Sequence, residues 1–200
     1  MKTRISLSLI AASTLLASAA FADTAAISAH ADPKIAVGAQ LELLPVGNFH
    51  LGTSQFSQDQ SAEVAYGISG SFDYAVHPNV SIGLAPRLAL NVIPTDTTDG
   101  HPAKELDLRA RVKAHANVAP RVEAYGFLAP GYSMLFSEGD TASGLAIALG
   151  AGATYDLSPT TYLSGEIGYQ FGFQSDSVAG QSVDVHARYL HLGLGAGARF

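Results

Sequence analysis

The last eleven residues of the chain constrain its fold more than any other segment. From Leu190 to Phe200, apolar side chains alternate strictly with histidine, glycine or arginine. Side chains of a β-strand point to opposite faces with a period of two residues, so this pattern predicts a strand with one apolar face. Seven upstream segments follow much the same rule. We therefore predict eight strands, each long enough to cross a bilayer when tilted.

The segments between the strands alternate between very short breaks and longer polar stretches. The short breaks are His77-Pro78-Asn79, Ala119-Pro120-Arg121 and Ser158-Pro159-Thr160, and residues 45–62, 94–103, 137–143 and 175–184 form the longer stretches. This arrangement is typical of an antiparallel up-and-down sheet built from hairpins. The predicted strands span Lys34–Leu44, Glu63–His77, Val80–Ile93, Lys104–Val118, Val122–Phe136, Gly144–Leu157, Thr161–Gln174 and Val185–Phe200.

The first 22 residues have the pattern of a secretory signal. Lys2 and Arg4 form a basic region, an apolar core follows from Ile5 to Leu16, and Ala20-Phe21-Ala22 forms a small-x-small cleavage site. We predict a signal peptide at residues 1–22, a short leader at residues 23–33 and one barrel domain at residues 34–200.

Charge and cysteine content narrow the possible functions. Removal of residues 1–22 leaves 9 of the 11 basic residues against 17 acidic ones, so the net charge falls from −6 to −8. This balance argues against nucleic acid as a partner. The chain has no cysteine, so it forms no disulfide framework. Beyond the signal, the sequence contains no apolar run long enough for a spanning helix.

The distribution of charge between the two faces indicates which solvent the barrel meets. The apolar face is free of charge in seven predicted strands and admits only Arg188 in the eighth, while the opposite face holds nearly all the charges within strands. A soluble barrel with an apolar ligand inside would point the apolar face inward, whereas an outer-membrane barrel points it toward lipid. Aromatic residues favour the membrane, because they gather near the strand ends like two interfacial girdles: Tyr74, Tyr155 and Phe200 at one end, and Tyr66, Tyr132, Phe136, Phe171 and Phe173 at the other.

Two prolines fall inside predicted strands, Pro86 in the third and Pro130 in the fifth. A proline cannot donate to a sheet ladder, and a closed barrel has no free edge to accommodate it. We therefore predict a bulge or a bend at each position.

With these features the chain resembles the small eight-stranded outer-membrane β-barrels of the OmpA/OmpX-like type. The resemblance implies an all-β, eight-stranded antiparallel up-and-down transmembrane barrel in the cell outer membrane of a Gram-negative envelope. Its partners would be outer-membrane lipid and lipopolysaccharide and, during biogenesis, the barrel-assembly machinery. Gly195, Ala198 and Phe200 resemble the assembly signal in the last strand of such proteins. We expect a monomer with a structural or cell-surface interaction role.

The main candidate site is a network of charges inside the barrel. In the fourth predicted strand, Arg109, Arg111 and Lys113 share the polar face, where carboxylates from other strands can meet them. A sealed plug of salt bridges is the favoured interpretation, and a narrow porin-like pore for ions or small solutes is the alternative. The predicted network comprises Glu42, Asp73, Arg87, Glu105, Asp107, Arg109, Arg111, Lys113, Glu123, Glu166 and Arg199.

The histidines give no sign of catalysis or metal binding. The seven histidines include no His-x-Ser sequence of the kind that a lipid A deacylase of this barrel type needs. His186 and His191 are five residues apart, hence on opposite faces of a strand, and no cysteine joins them. We expect a non-catalytic protein that holds neither a metal nor a cofactor.

Overall fold

A computed structural model describes residues 34–52, 57–92, 103–137, 140–178 and 181–200. These residues form nine β-strands: β1 Ile35–Gly52, β2 Ser57–Ala62, β3 Ala65–His77, β4 Val80–Val92, β5 Ala103–Ala119, β6 Val122–Ser137, β7 Asp140–Asp156, β8 Thr161–Val178 and β9 Gln181–Arg199. The described residues include no helix that is long and apolar enough to cross a membrane. The predicted signal peptide and leader lie outside the described residues.

The strands form one closed antiparallel sheet. From β3 to β9 each strand pairs with the next, and β9 pairs with β1 to close the barrel. The first half of β1 pairs with β3 and its second half pairs with β2. Since β2 and β3 follow each other along the same side of β1, they occupy one strand position in the wall. The wall is therefore eight strands around, which confirms the predicted up-and-down barrel.

The two ends of the barrel differ in the length of their connections. At the end that we call the turn end, the three proline-marked breaks are short turns between β3 and β4, β5 and β6, and β7 and β8. At the opposite, loop end, the sequence predicts long polar loops, and for residues 45–62, 137–143 and 175–184 that prediction is wrong. Strand pairing continues there and leaves only short gaps in the described chain. Of the stretch 94–103, all but Ala103 lies outside the described residues.

A β-bulge explains why β1 was predicted to end at Leu44. The register of β1 against β9 shifts by one residue between Leu43 and Val46, at Pro45. Leu44 points inward before the bulge, and Gly47 and Phe49 point inward after it. The extra residue moves the inward-facing side chains from even-numbered to odd-numbered positions. The strand therefore continues in the sheet, although the alternation of apolar and polar residues in the sequence is interrupted.

No β-bulge lies at Pro86 or Pro130, the two prolines inside the predicted strands. Pro86 stays in register with Leu108 of β5, and Pro130 stays in register with Ile147 of β7. On its other side, each proline faces two successive residue pairs that are missing from the ladder, but the register is the same before and after the gap. Of the two predicted alternatives, the bulge is wrong at both positions, because strand pairing is interrupted only briefly beside each proline. A bend at either position stays a prediction.

The apolar face points outward. Leu41 and Leu194 are 71% and 75% exposed on the outside of the wall, whereas Arg87, Glu105 and Asp107 are almost completely buried inside it. This arrangement confirms the membrane orientation and contradicts the soluble barrel with an apolar lumen, because only lipid can cover such a continuous apolar exterior.

Candidate functional site in the barrel lumen

Strand β5 supplies more charged side chains to the lumen than any other described strand. Its odd-numbered residues point inward, which brings Glu105, Asp107, Arg109, Arg111 and Lys113 into one file that runs from the loop end toward the turn end. Five charges on one strand can be buried only if other strands supply partners. The facing strands do so at two successive levels, which we call the Arg87 layer and the Arg111 layer.

The Arg87 layer is a guanidinium group held among carboxylates. Arg87 of β4 donates from Nε to Asp107 at 2.7 Å and from Nη2 to Glu105 at 2.8 Å. Glu42 of β1 completes the set, with an oxygen 3.8 Å from Nη1 of Arg87. The side chains of Arg87, Glu105 and Asp107 are 0% exposed. Burial at this depth makes each ion dependent on its partners.

Neutral side chains from the opposite wall complete the Arg87 layer. The amide of Gln170 donates to Glu105 at 3.3 Å and to Asp107 at 3.2 Å, and the Gln174 amide donates to Ser133 at 2.7 Å. Arg109 donates to the Gln170 carbonyl oxygen at 3.2 Å. These hydrogen bonds cross the barrel and link β5 and β6 to β8 at this level. Sequence reasoning did not include Ser133, Gln170 or Gln174 in the site, because uncharged side chains on the polar face carry no distinguishing signal.

The Arg111 layer lies next along the lumen, toward the turn end. Asp73 of β3 accepts from Arg111 at 3.0 Å and from Lys113 at 2.6 Å. On the other side of the barrel, Glu166 of β8 lies 3.4 Å from Nη1 of Arg111 and accepts from the Tyr125 hydroxyl at 3.0 Å. Arg111 therefore bridges two acids across the lumen, Asp73 also pairs with Lys113, and Tyr125 is a neutral donor to Glu166.

Glycine makes the close approach within the Arg111 layer possible. A Cβ atom added to Gly152 of β7 would lie 2.5 Å from the ring of Tyr125, and one added to Gly168 of β8 would lie 2.3 Å from the ring of His191. Both rings need this space to reach Glu166, which lies 3.4 Å from Nε2 of His191. The glycines that line the lumen therefore leave room for its long side chains.

Charged groups at the turn end surround an open vestibule of about 780 Å³. Arg199 of β9 forms an ion pair with Asp156, lies 3.6 Å from Glu123 and stacks its guanidinium 4.9 Å from the centre of the Tyr162 ring. His115 lies 3.2 Å from the same Glu123 carboxylate. The vestibule ends at the Arg111 layer, since Asp73 and Lys113 form part of its lining.

The loop end of the lumen is filled by apolar side chains, which we call the apolar layer: Leu44, Phe49, Val92, Val185 and Tyr189. The rings of Phe49 and Tyr189 meet edge to face with centroids 5.6 Å apart. Sequence reasoning placed Phe49 in a polar loop and missed this layer. The only indication in the sequence is the alternation of side-chain types beyond Pro45, which places Phe49 on the inward face if the bulge is taken into account.

All eleven residues of the predicted charge network lie on the lumen side of the wall, but they do not form one cluster. Five belong to or adjoin the Arg87 layer, four form the Arg111 layer, and Glu123 and Arg199 lie at the turn end. In the predicted assembly signal, Gly195 packs against Gln40 in the lumen and Phe200 is 72% exposed on the outside. Its recognition by assembly machinery stays a prediction.

An apolar exterior around a lumen packed with ion pairs defines an outer-membrane β-barrel protein, located in the cell outer membrane. The model of the outer membrane protein beta-barrel domain matches residues 8–200, and the chain belongs to this family. No curated protein sequence matches the chain.

Solved structures show the same fold. The outer membrane protein OprG from Pseudomonas aeruginosa superposes with a TM-score of 0.61 at 13% identity, over 88% of this chain and 99% of that one. The AlkL barrel, solved in lipid bilayers, gives a TM-score of 0.57 at 17% identity over 89% and 95%. Neisserial surface protein A gives 0.50 at 11% identity over 82% and 99%. At these identities the likeness concerns the fold alone.

Proposed function

We propose that the protein is a sealed, structural outer-membrane barrel that presents its loop end to the cell surface and conducts no ions through its lumen. The main support is the Arg87 layer, in which three fully buried charged side chains form ion pairs. The Gln170 and Gln174 amides donate hydrogen bonds to the carboxylates of this layer. The apolar layer covers it on the loop side, so an ion would meet first a dry constriction and then a closed polar cross-section.

The balance of charge in the lumen supports the same function. Arg87, Arg111 and Lys113 each lie within ion-pair distance of a carboxylate. An ion-selective pore instead presents charges of one sign to the permeating ion. Outer-membrane lipid and lipopolysaccharide would surround the wall, and we propose the barrel-assembly machinery as the partner during insertion.

A narrow pore is the second candidate, and the vestibule favours it. The vestibule opens at the turn end and reaches the Arg111 layer, so an ion could enter half of the lumen from that side. The Arg111 layer, the Arg87 layer and the apolar layer then separate it from the loop end.

Single-channel recording on protein folded in a planar bilayer separates the two candidates. We expect no conductance steps from the wild-type barrel, and reproducible steps would instead establish the pore. In parallel, Arg87→Ala should lower the free energy of unfolding by about 3–5 kcal/mol, because it leaves Glu105 and Asp107 buried without their counterion. The matched control is Arg188→Ala on the exposed outer face, where we expect a change below about 1 kcal/mol. A silent Arg87→Ala variant would contradict the structural role of the layer.

A further inference from the structure

Three side chains on the outer face of the β1–β2 hairpin form a relay that is separate from the lumen. Asp59 lies directly opposite His50 across the two strands, and Ser57 is two residues before Asp59 on the same face of β2. Oδ1 of Asp59 lies 2.6 Å from Nδ1 of His50, and Oγ of Ser57 lies 3.4 Å from Nε2 of the same ring. A hydroxyl, an imidazole and a carboxylate are therefore connected in that order.

The order of these contacts is the one that activates a serine. A carboxylate at Nδ1 holds the proton on that nitrogen, so Nε2 is left with its lone pair toward the hydroxyl. Nε2 can then remove the hydroxyl proton as the oxygen attacks. The distance of 3.4 Å from Ser57 to His50 is within the looser range of such pairs when no substrate is bound.

Neighbouring strands hold the His50 ring in place. His186 of β9 stacks on it with ring centroids 5.8 Å apart and an angle of 25° between the planes. The ring of Phe173 from β8 packs edge-on against His186 at 5.5 Å. His50 is therefore supported by two strands of the wall as well as by Asp59.

The position along the barrel indicates the substrate class. On β1, Leu43 pairs with Tyr66 of the outer aromatic girdle, and His50 lies seven residues further toward the loop end. Strands of a membrane barrel are tilted by about 35–45°, so cross-strand partners do not share a height, and the relay lies beyond the girdle. Because the aromatic girdle marks the headgroup level of a membrane, the relay faces the aqueous side of the interface. The site is open from outside, since the side chains of His50 and Asp59 are 40% and 87% exposed.

We propose that Ser57, His50 and Asp59 form a hydrolase site for carboxylic esters that reach it from the aqueous side of the outer membrane. Oγ of Ser57 bonds to the ester carbonyl carbon while its proton passes to Nε2 of His50. The tetrahedral intermediate then expels the alcohol, which takes that proton, and an acyl-serine remains. Water attacks the acyl-serine with His50 as base, so a carboxylic acid leaves and the Ser57 hydroxyl is restored. The reaction consumes one water molecule for each ester cleaved.

The site was missed in the sequence because its members come together only in the hairpin. His50 and Ser57 are seven residues apart, within a stretch predicted to be a polar loop. The search for a His-x-Ser sequence assumed neighbours on one strand, whereas here the pairing of two strands brings the residues together. This proposal replaces the expectation of a non-catalytic protein at this end of the barrel.

The test combines covalent labelling with hydrolysis, on full-length mature protein folded in vesicles. We expect a fluorophosphonate probe to label Ser57, as located by peptide mass spectrometry. A soluble medium-chain p-nitrophenyl ester should be hydrolysed at a rate that falls at least about 100-fold in Ser57→Ala and about 10-fold or more in Asp59→Asn. Ser175→Ala is the matched control, because Ser175 is also an exposed serine at the loop end, and it should keep the wild-type rate. Heat-modifiable migration in gels verifies that every variant is folded.

Vesicles of phospholipid and of lipopolysaccharide then test the assignment to the aqueous side. We expect no release of fatty acid that depends on Ser57 from either vesicle, and such release would overturn this assignment. Labelling at a residue other than Ser57, or an equal rate in wild type and Ser57→Ala, would overturn the proposal. None of these results depends on whether the lumen conducts.

Discussion

At the scale of single residues, Arg121 adopts a backbone conformation that its side chain disfavours. It follows Pro120 in the turn between β5 and β6, and its φ angle is 67°. Outside glycine, this left-handed region costs roughly 1–2 kcal/mol because Cβ crowds the backbone, and the added freedom of glycine in the unfolded chain offsets only part of that relief. We therefore expect Arg121→Gly to raise the free energy of unfolding by about 0.5–1 kcal/mol, as measured by urea denaturation in vesicles.

A second turn at the same end of the barrel supplies the control. Asn79 follows Pro78 between β3 and β4, but its φ angle is not positive. Asn79→Gly should leave stability unchanged or lower it, because glycine adds freedom to the unfolded chain and relieves no strain. An equal gain from both substitutions would contradict the conformational explanation for Arg121.

At the scale of elements, β1 continues beyond the point where the sequence pattern ends. After the bulge at Pro45, Phe49 is 3% exposed in the apolar layer of the lumen. We expect Phe49→Ala to destabilise the barrel by about 3–5 kcal/mol, since it removes a buried aromatic ring from a packed cluster. Val46→Ala, on the exposed side of the same strand, should change stability by less than about 1 kcal/mol. A loss below 1 kcal/mol at Phe49 would show that the segment behaves as the solvated loop predicted from sequence.

At the scale of the whole molecule, the cost of placing an arginine on the outer surface should depend on its depth in the bilayer. Leu128 is exposed on β6 about midway between the two aromatic girdles, whereas Val118 is exposed beside the turn that ends β5. We expect Leu128→Arg to lower the free energy of unfolding by about 2–4 kcal/mol in vesicles, and Val118→Arg by about 0–1 kcal/mol. Equal costs at the two positions would contradict the depth assigned to the wall.

The sequence by itself determined the wall of the barrel. A period of two residues assigns each side chain to a face, and this pattern depends only on local strand geometry. The turns at Pro78, Pro120 and Pro159 were equally predictable, because the proline-containing breaks interrupt alternating segments. Hence the strand count, the inward file of β5 and the apolar exterior could all be predicted without coordinates.

Only the tertiary structure decided which side chains meet. Arg87 and Gln170 approach the same carboxylates from opposite sides of the barrel, and Arg111 joins Asp73 to Glu166 across it. These meetings depend on the register between strands and on closure of the sheet, neither of which a local alternation encodes. The bulge at Pro45 has the same effect on β1, because one extra residue reverses the faces. It creates both the apolar layer and the hairpin face that brings His50 to Ser57 and Asp59.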